Sequence, residues 1–471
     1  MHAWVIDESK TADFGDSRLN SRYRLLLGQL SDKPTLSIPA ACAGPAEMAA
    51  AYRFFDNERV SVERILKPHI DATLDRIRQQ RVVLIPQDTT ELDLTRREET
   101  VGGPLNDSSR RGLFAHPQLA MTPDRLPLGV IGATIWGRDA ESFERPQAEK
   151  RRERKAKPIT EKESHRWLAG YEQACAVAEQ TPGTTVVSIA DSEGDIYEYY
   201  LAGESGAGRR AEWIVRACQD RALMDADGNL LRQQLLEAKR LGRLDVEARQ
   251  RHPSCGDADK KKRKQGRESR RASVTVQAAV VTLRPPHRPE KKMPPVQVNA
   301  ILVREERPPT GEEPIEWLLL TSLPIDSFAA AQTAIDYYCC RWEIEVYFRV
   351  LKGGCRVEDL QLETTARFEA CLALYMIVAW RVLHLLMLGR TCPDMTCEAV
   401  LGEAEWKAVY QIVTGKQPPR KVPTIGEMIG LIAKLGGYMG RKHDGPPGPK
   451  AVWIGLQRMR DFAIAWSSFG P

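Results

Sequence analysis

Residues Tyr337 to Cys355 read YYCCRWEIEVYFRVLKGGC. Within them Tyr338, Arg341, Glu345, Arg349 and Lys352 recur at spacings of three, four, four and three, which at about 100° per residue makes one narrow polar stripe on a helix. Trp342, Ile344, Val346, Phe348, Val350 and Leu351 take up most of the remaining circumference, so this helix is expected to be largely buried. Two readings of the stripe compete. Arg341–Glu345 and Glu345–Arg349 are four apart, the spacing of ion pairs that stabilise any helix by a few tenths of a kcal/mol. Alternatively, the stripe aims functional groups into a cleft. Glu343, about 160° around the helix from Glu345, cannot serve the same cleft.

Outward from that helix, the chain has 471 residues, 42% hydrophobic and 28% charged, enough for two or three domains with real cores and for a soluble globular protein. The opening MHAWVIDESKTADFGD carries acids where a secretory or transit peptide has an apolar or basic run, so a cytoplasmic location is expected. The most apolar stretch, ACLALYMIVAWRVLHLLML, is interrupted by Arg381 and His384 and reads as a buried helix, with no membrane partner. Ten cysteines form no CxxC and have no histidines at zinc-ligand spacing, which makes them reduced core residues. The net charge of +5 is modest, but Arg145–Lys157, Lys260–Arg271 and Lys416–Lys421 are dense in Lys and Arg. Such runs are solvated loops or contacts to a polyanion such as DNA.

Helices are expected at Asp16–Leu30, which carries Arg18, Arg22 and Arg24, at Pro45–Asn57 and at Val60–Gln79. From RVVLIPQDTTELDL onward, strands and helices alternate, and a strand-and-basic-loop region (ASVTVQAAVVTL, PVQVNAILV, EWLLLTSLPI) returns the chain to the opening stretch. That order predicts an α/β core with a mostly β insertion, followed by helices after Arg367.

Two apolar runs end on an aspartate, VVLIPQD at Asp88 and TVVSIAD at Asp191. A carboxylate at the end of a buried strand is either a turn former or helix N-cap, or a ligand held rigidly where open α/β sheets bind theirs; Asp195, before IYEYY, reads as a turn former or helix N-cap. Asp88, Asp191 and Glu345 in one cleft would repel unless a hard cation sat among them. Such oxygen ligands suit two Mg²⁺ or Mn²⁺ ions about 3.5–4 Å apart, arranged for phosphodiester displacement.

Tyr338, Arg341, Glu345 and Lys352 together match a Y-x2-R-x3-E-x6-K pattern, and with the two ordered aspartates the chain resembles the bacterial cut-and-paste transposases of the insertion-sequence-four family. The resemblance runs nearly end to end: AYRFFDNERVS (Ala51 to Ser61) is similar to the DNA-end-binding region, QDTT and Ala190–Leu201 to the two aspartate motifs, and AKLGGYMGRK (Ala433 to Lys442) to the C-terminal helical region. It implies an RNase H-like catalytic core in which Asp88, Asp191 and Glu345 form the metal site. Tyr338, Arg341 and Lys352 would contact phosphates near the cleavage point. Trp317 would stack a flipped base in a pocket lined by Arg216 and Trp342, although Trp317 also lies in an apolar strand and reads equally as core. Arg18 and Arg22 fall in the implied end-binding domain.

The expected division is a helical DNA-end-binding domain at 1–70, a catalytic domain at 71–366 with its β-rich insertion at about 217–322, and a helical dimerisation domain at 367–471. The expected activity is transposition: metal-dependent cleavage of the transposon ends, a hairpin intermediate, and transfer of the 3′ ends into target DNA. Partners are then double-stranded DNA, both terminal repeats and target, and a second copy of the chain in a synaptic complex. A structure-selective nuclease on the same core, or a transposase-derived DNA-binding regulator without chemistry, would carry many of the same features. The intact acids argue against the regulator, and the two flanking helical regions argue against the simple nuclease.

Overall fold

The computed structural model describes residues 2–42, 44–95, 101–107, 109–139, 149, 157–204, 209–224, 230–248, 270–288 and 292–470. They form two compact units, one of Met1–Lys162, Glu172–Val186 and Cys340–Pro471, the other of Glu163–Tyr171 and Val187–Cys339.

The first unit begins with the expected helices, Ser17–Asp32, Pro45–Phe55 and Val62–Ile77, preceded by a short one at Ala3–Glu8. Their starts are chemically marked: the Asp16 carboxylate accepts the Arg18 N–H, and the Ser61 hydroxyl accepts that of Arg64. Tyr23, Leu26, Leu27 and Leu30 form the buried stripe of the second helix, and the Tyr23 hydroxyl donates to the Ile65 carbonyl at 3.0 Å. The chain then enters a sheet of β1 (Val82–Pro86), β2 (Thr90–Asp93), β3 (Gly103–Pro104), β4 (Arg111–Met121) and β5 (Pro127–Trp136), in which β4 pairs antiparallel with all the others. The sequence reading missed β4. Every residue of it after Arg111 is buried, so it shows no alternation of polar and apolar positions.

Against β5 and the helix Val62–Ile77 packs Thr365–Thr391, whose most apolar window is 94% buried within the protein. The length and composition of this helix would let it cross a membrane; its surroundings are protein. Helices Glu403–Thr414, Ile425–Leu435 and Pro449–Phe469 pack on one another beside it. Gly455 permits a close approach, since a Cβ there would come within 1.9 Å of the Ile432 carbonyl oxygen.

In the second unit β6 (Thr185–Ala190) runs parallel to β7 (Glu212–Arg216) through Val187–Ala190. Beyond β7 the order continues antiparallel through β11 (Glu316–Thr321), β10 (Val296–Glu305), β9 (Arg270–Leu283) and β8 (Arg240–Ala248). Strands β8 to β11 are the expected β-rich insertion, so the α/β class with helices at both ends holds.

Tyr337–Cys355 is not the single helix its periodicity suggested. A helix ends at Cys340, Arg341 and Trp342 form a turn, a second helix runs Glu343–Arg349, and Val350–Gly354 widens into a π-turn. The N–H groups of Ile344 and Glu345 reach back only three residues, to the carbonyls of Arg341 and Trp342, so the second helix starts tightly wound. At the other end, a Cβ on Gly354 would stand 3.1 Å from the Trp453 ring, and the paired glycines let that indole lie against the widened turn.

Candidate active site

Asp88 follows β1 at a break in pairing. Leu84 faces Met121, Gln87 faces Gln118 and Thr90 faces Ala115, so a single register carries β1 and β2 along β4, interrupted only at Asp88 and Thr89. The Asp88 Oδ1 accepts the Thr89 N–H at 2.8 Å, and Oδ2 accepts Arg341 Nη1 at 2.6 Å.

Arg341 joins two acids that are far apart in sequence. Its second amino group donates to Glu345 Oε1 at 3.4 Å, so one guanidinium bridges Asp88 and Glu345. The three side chains are 17%, 12% and 34% exposed in the order Asp88, Arg341, Glu345, which leaves the cluster reachable from solvent. Glu343 goes elsewhere: it is buried and accepts Arg125 Nη1 at 3.3 Å. Lys352, on the π-turn, departs from the helical stripe and pairs with Glu358 at 3.0 Å. Glu358 in turn accepts the Asp93 N–H at 2.9 Å and, with Asp93, Thr95, Asp359 and Gln361, lines an open cavity of about 540 Å³.

The second unit holds Asp191, Trp317, Arg216 and Tyr338. Asp191 directly follows β6 and caps a one-turn 3-10 helix, its Oδ1 accepting the Glu193 N–H at 2.8 Å. Asp195 ends the 3-10 turn Ser192–Gly194, in keeping with the turn-former reading, while its side chain serves more distant groups. Its fully buried carboxylate accepts the Cys218 and Gln219 N–H groups at 2.8 and 2.9 Å, the Tyr200 hydroxyl at 2.6 Å, and the Arg221 guanidinium. Burial raises the Tyr200 hydroxyl pKa far above its ordinary value, and the adjacent Asp195 carboxylate pushes it the same way, so Tyr200 is a permanent donor. Trp317 pairs with Val303 on β10, and Leu319, two residues on, pairs with Arg216 on β7; Trp317 and Arg216 therefore share one face of the sheet. The Trp317 ring centroid lies 6.2 Å from that of Tyr338.

Trp342, half-buried, stands in the turn that starts the Glu343–Arg349 helix, in the first unit. Arg18 is exposed beside Asp16, whereas Arg22 is paired with Glu47. Together with Ser17, Ser21 and Leu25 they line a shallow cavity of about 410 Å³. Apart from Glu149, Lys157, Arg270 and Arg271, the basic runs Arg145–Lys157 and Lys260–Arg271 lie outside the described residues.

One residue beside Asp88 was not singled out from the sequence, His116. Its ring is fully buried on β4 and contacts the side chains on both sides of Asp88, Gln87 at 3.0 Å and Thr89 at 2.9 Å. The β4 register places Pro117 opposite Asp88 and His116 opposite Thr89, which sequence alone does not show.

As a donor set for a divalent ion, Asp88 and Glu345 fit: hard carboxylate oxygens from two elements converge on one positive charge. They converge on Arg341, and among the described residues no three His, Cys, Asp or Glu side chains are gathered as around a metal.

Comparison with known families matches three spans of the chain. Residues 1–60 match the family described as transposase DNA-binding, 139–381 the transposase DDE domain, and 377–466 the transposase Tn5 dimerisation domain. Asp191 and Glu345 lie inside the DDE span and Asp88 precedes it. Among solved structures, the cryo-EM structure of the piggyBac transposase synaptic complex with hairpin DNA aligns over 96% of this chain and 76% of that one, at 9% identity and a TM-score of 0.36. A likeness that distant decides nothing about this chain.

Proposed function

Because the chain belongs to the DDE transposase family, with DNA-binding and Tn5-type dimerisation regions at its two ends, we propose that it excises a mobile element by cutting both ends and inserts it into target DNA. It is a DNA-binding, dimer-forming transposase with an RNase H-like core, and such domains work with divalent metal ions. The finer reading is that Asp88, Asp191 and Glu345 hold two Mg²⁺ ions, for which Mn²⁺ can substitute. When bound, these ions supply Lewis-acid activation of the attacking oxygen and stabilisation of the leaving one.

The observation that carries this reading is the convergence of Asp88 and Glu345, 257 residues apart in sequence, on a single cation in a solvent-reachable cluster. Salt-bridge ladders along a helix need only neighbours on that helix; Arg341 also recruits a strand-end carboxylate. In this reading Arg341, Lys352 and Tyr338 hold phosphates beside the scissile bond, the two cations exchanging their present carboxylate partners for DNA. Trp317 takes a flipped base on its exposed side, with Arg216 on the same sheet face and Trp342 completing the pocket, and the strand so freed closes a hairpin that is later opened for strand transfer.

Arg18 and Arg22 grip the terminal repeat. The domain limits in this reading are 1–70, 71–366 and 367–471, while the matched spans are 1–60, 139–381 and 377–466. Two copies pair two ends in a synaptic complex, a reading supported by the exposed Ile464 and Phe469 on the last helix. The work would take place in the bacterial cytosol, at the nucleoid.

The test uses duplexes bearing the inverted repeats that flank the coding sequence. Asp88→Asn, Asp191→Asn and Glu345→Gln should each abolish Mg²⁺-dependent end cleavage while end binding persists. Trp317→Ala should nick the end and accumulate little hairpin. Cleavage surviving in any of the three acid variants would remove that residue from the metal site, and a normal hairpin yield would return Trp317 to the core.

A further inference from the structure

We propose that His116 and Pro117 form a positioning device that presents the Asp88 carboxylate, His116 by clamping both of its sequence neighbours and Pro117 by breaking the strand ladder at that point. The proposal rests on the reading of Asp88 as an ion ligand.

The register is the first observation. Carried through from β1 to β2 along β4, it sets Asp88 opposite Pro117, the only proline in β4 and a residue that brings no N–H to a ladder. Pairing lapses at Asp88 and Thr89 and resumes at Thr90.

The second observation is the ring beside the gap. With the Gln87 amide oxygen 3.0 Å from His116 Nε2, the ring proton sits on Nε2, and Nδ1 accepts the Thr89 hydroxyl hydrogen at 2.9 Å. The imidazole thereby fixes residues 87 and 89, one on each side of Asp88. Thr89 passes the constraint on directly, its N–H donating to Asp88 Oδ1 at 2.8 Å. Oδ1 is thus oriented by the clamp, while Oδ2 is the oxygen that meets Arg341. Groups that orient a ligand in this way typically change metal affinity by about 10–100-fold when removed.

The experiment measures Mn²⁺ binding to the full-length protein on its end duplex, reading unbound Mn²⁺ by electron paramagnetic resonance. His116→Ala and Thr89→Val should each weaken Mn²⁺ by about tenfold or more with end binding retained, and Thr89→Ser, which keeps the hydroxyl, should stay within about twofold of the parent. If His116→Ala does not fold, the isosteric Thr89→Val pair with Thr89→Ser decides the matter alone. Parent-like Mn²⁺ affinity in folded His116→Ala and in Thr89→Val, alongside lost binding in Asp88→Asn, would overturn the clamp and leave the ion reading standing. Parent-like affinity in Asp88→Asn would overturn both.

Discussion

Two ionic clusters in the first unit each set carboxylate against arginine and are built as opposites. In one, Glu8 and His69 are closed in, Glu8 2% exposed and His69 with no exposed surface, and the partly exposed Arg76 reaches Glu8 Oε1 through Nη1 at 2.6 Å. His69 accepts the Val130 N–H at Nε2, so its proton faces Glu8 from Nδ1, and the Arg76 guanidinium lies 4.5 Å above the Trp380 ring. His69 and Arg76, both on the Val62–Ile77 helix, each bind Glu8 on the first helix and the β5 backbone, at Val130 and Leu128, so the cluster ties the N-terminal helices to β5. In the other, Asp88, Arg341 and Glu345 meet at a strand break with up to a third of a side chain exposed. A buried network that is fully satisfied holds a fold together, whereas a half-open one of like composition is retained for what it can bind.

The largest contrast is expected in activity. Asp88→Asn or Glu345→Gln should lower end cleavage by about a thousandfold or more, as loss of groups acting on a transition state does, with the unfolding midpoint unchanged or raised. Glu8→Ala should do the reverse, costing about 3–5 kcal/mol of stability because His69 and Arg76 lose a buried partner, with specific activity of the folded fraction retained. Chemical denaturation paired with a cleavage assay checks both; loss of stability from Asp88→Asn comparable to that from Glu8→Ala would erase the distinction.

A smaller effect separates the clusters by pH. Burial depresses the His69 imidazole, and burial together with nearby Arg381 depresses His384 to about 3 from 6.5. Burial alone would raise the Glu8 carboxyl, but His69 and Arg76 outweigh it and hold it at about 2, below its ordinary 4.5. All three groups bind protons more readily in the unfolded chain. Their stability is therefore present above about pH 6.5 and is lost on acidification, through the histidines first and Glu8 below about pH 4.5. Thermal unfolding followed from about pH 7 to about pH 4 should show a falling midpoint, and His384→Asn should flatten the slope. A midpoint that rises on acidification would contradict the closed cluster.

The smallest effect concerns Glu343. Paired with a half-exposed Arg125 and turned away from Glu345, it should cost about 1 kcal/mol as Glu343→Gln and leave cleavage within a few-fold of the parent. Equal loss from Glu343→Gln and Glu345→Gln would sink the assignment of Glu345.

Much of this was legible in the sequence because local chemistry wrote it there. Asp16 and Ser61 announce helix starts, apolar runs ending on Asp88 and Asp191 announce strand ends, and the spacing from Arg341 to Glu345 survives as a contact. What escaped was non-local. β4 is buried on both faces and shows no period; the two glycines and Trp453 open the helix into a π-turn that moves Lys352 off the stripe. Asp195 was legible only as a turn former or helix N-cap, because local sequence cannot reveal Arg221 and the two amides beyond β7 that claim its carboxylate. His116 is alone in sequence and becomes a clamp only when the register of β4 is known.

The central claim is that Asp88 and Glu345 hold divalent ions and that Arg341 is not simply their salt-bridge partner. The most direct measurement counts Mn²⁺ bound to the protein on its end duplex by titration calorimetry. The parent should bind about two ions per active site, and Asp88→Asn and Glu345→Gln should each lose at least one of them or bind it far more weakly. Full stoichiometry at unchanged affinity in both variants would make the cluster an ion-pair ladder and contradict the account.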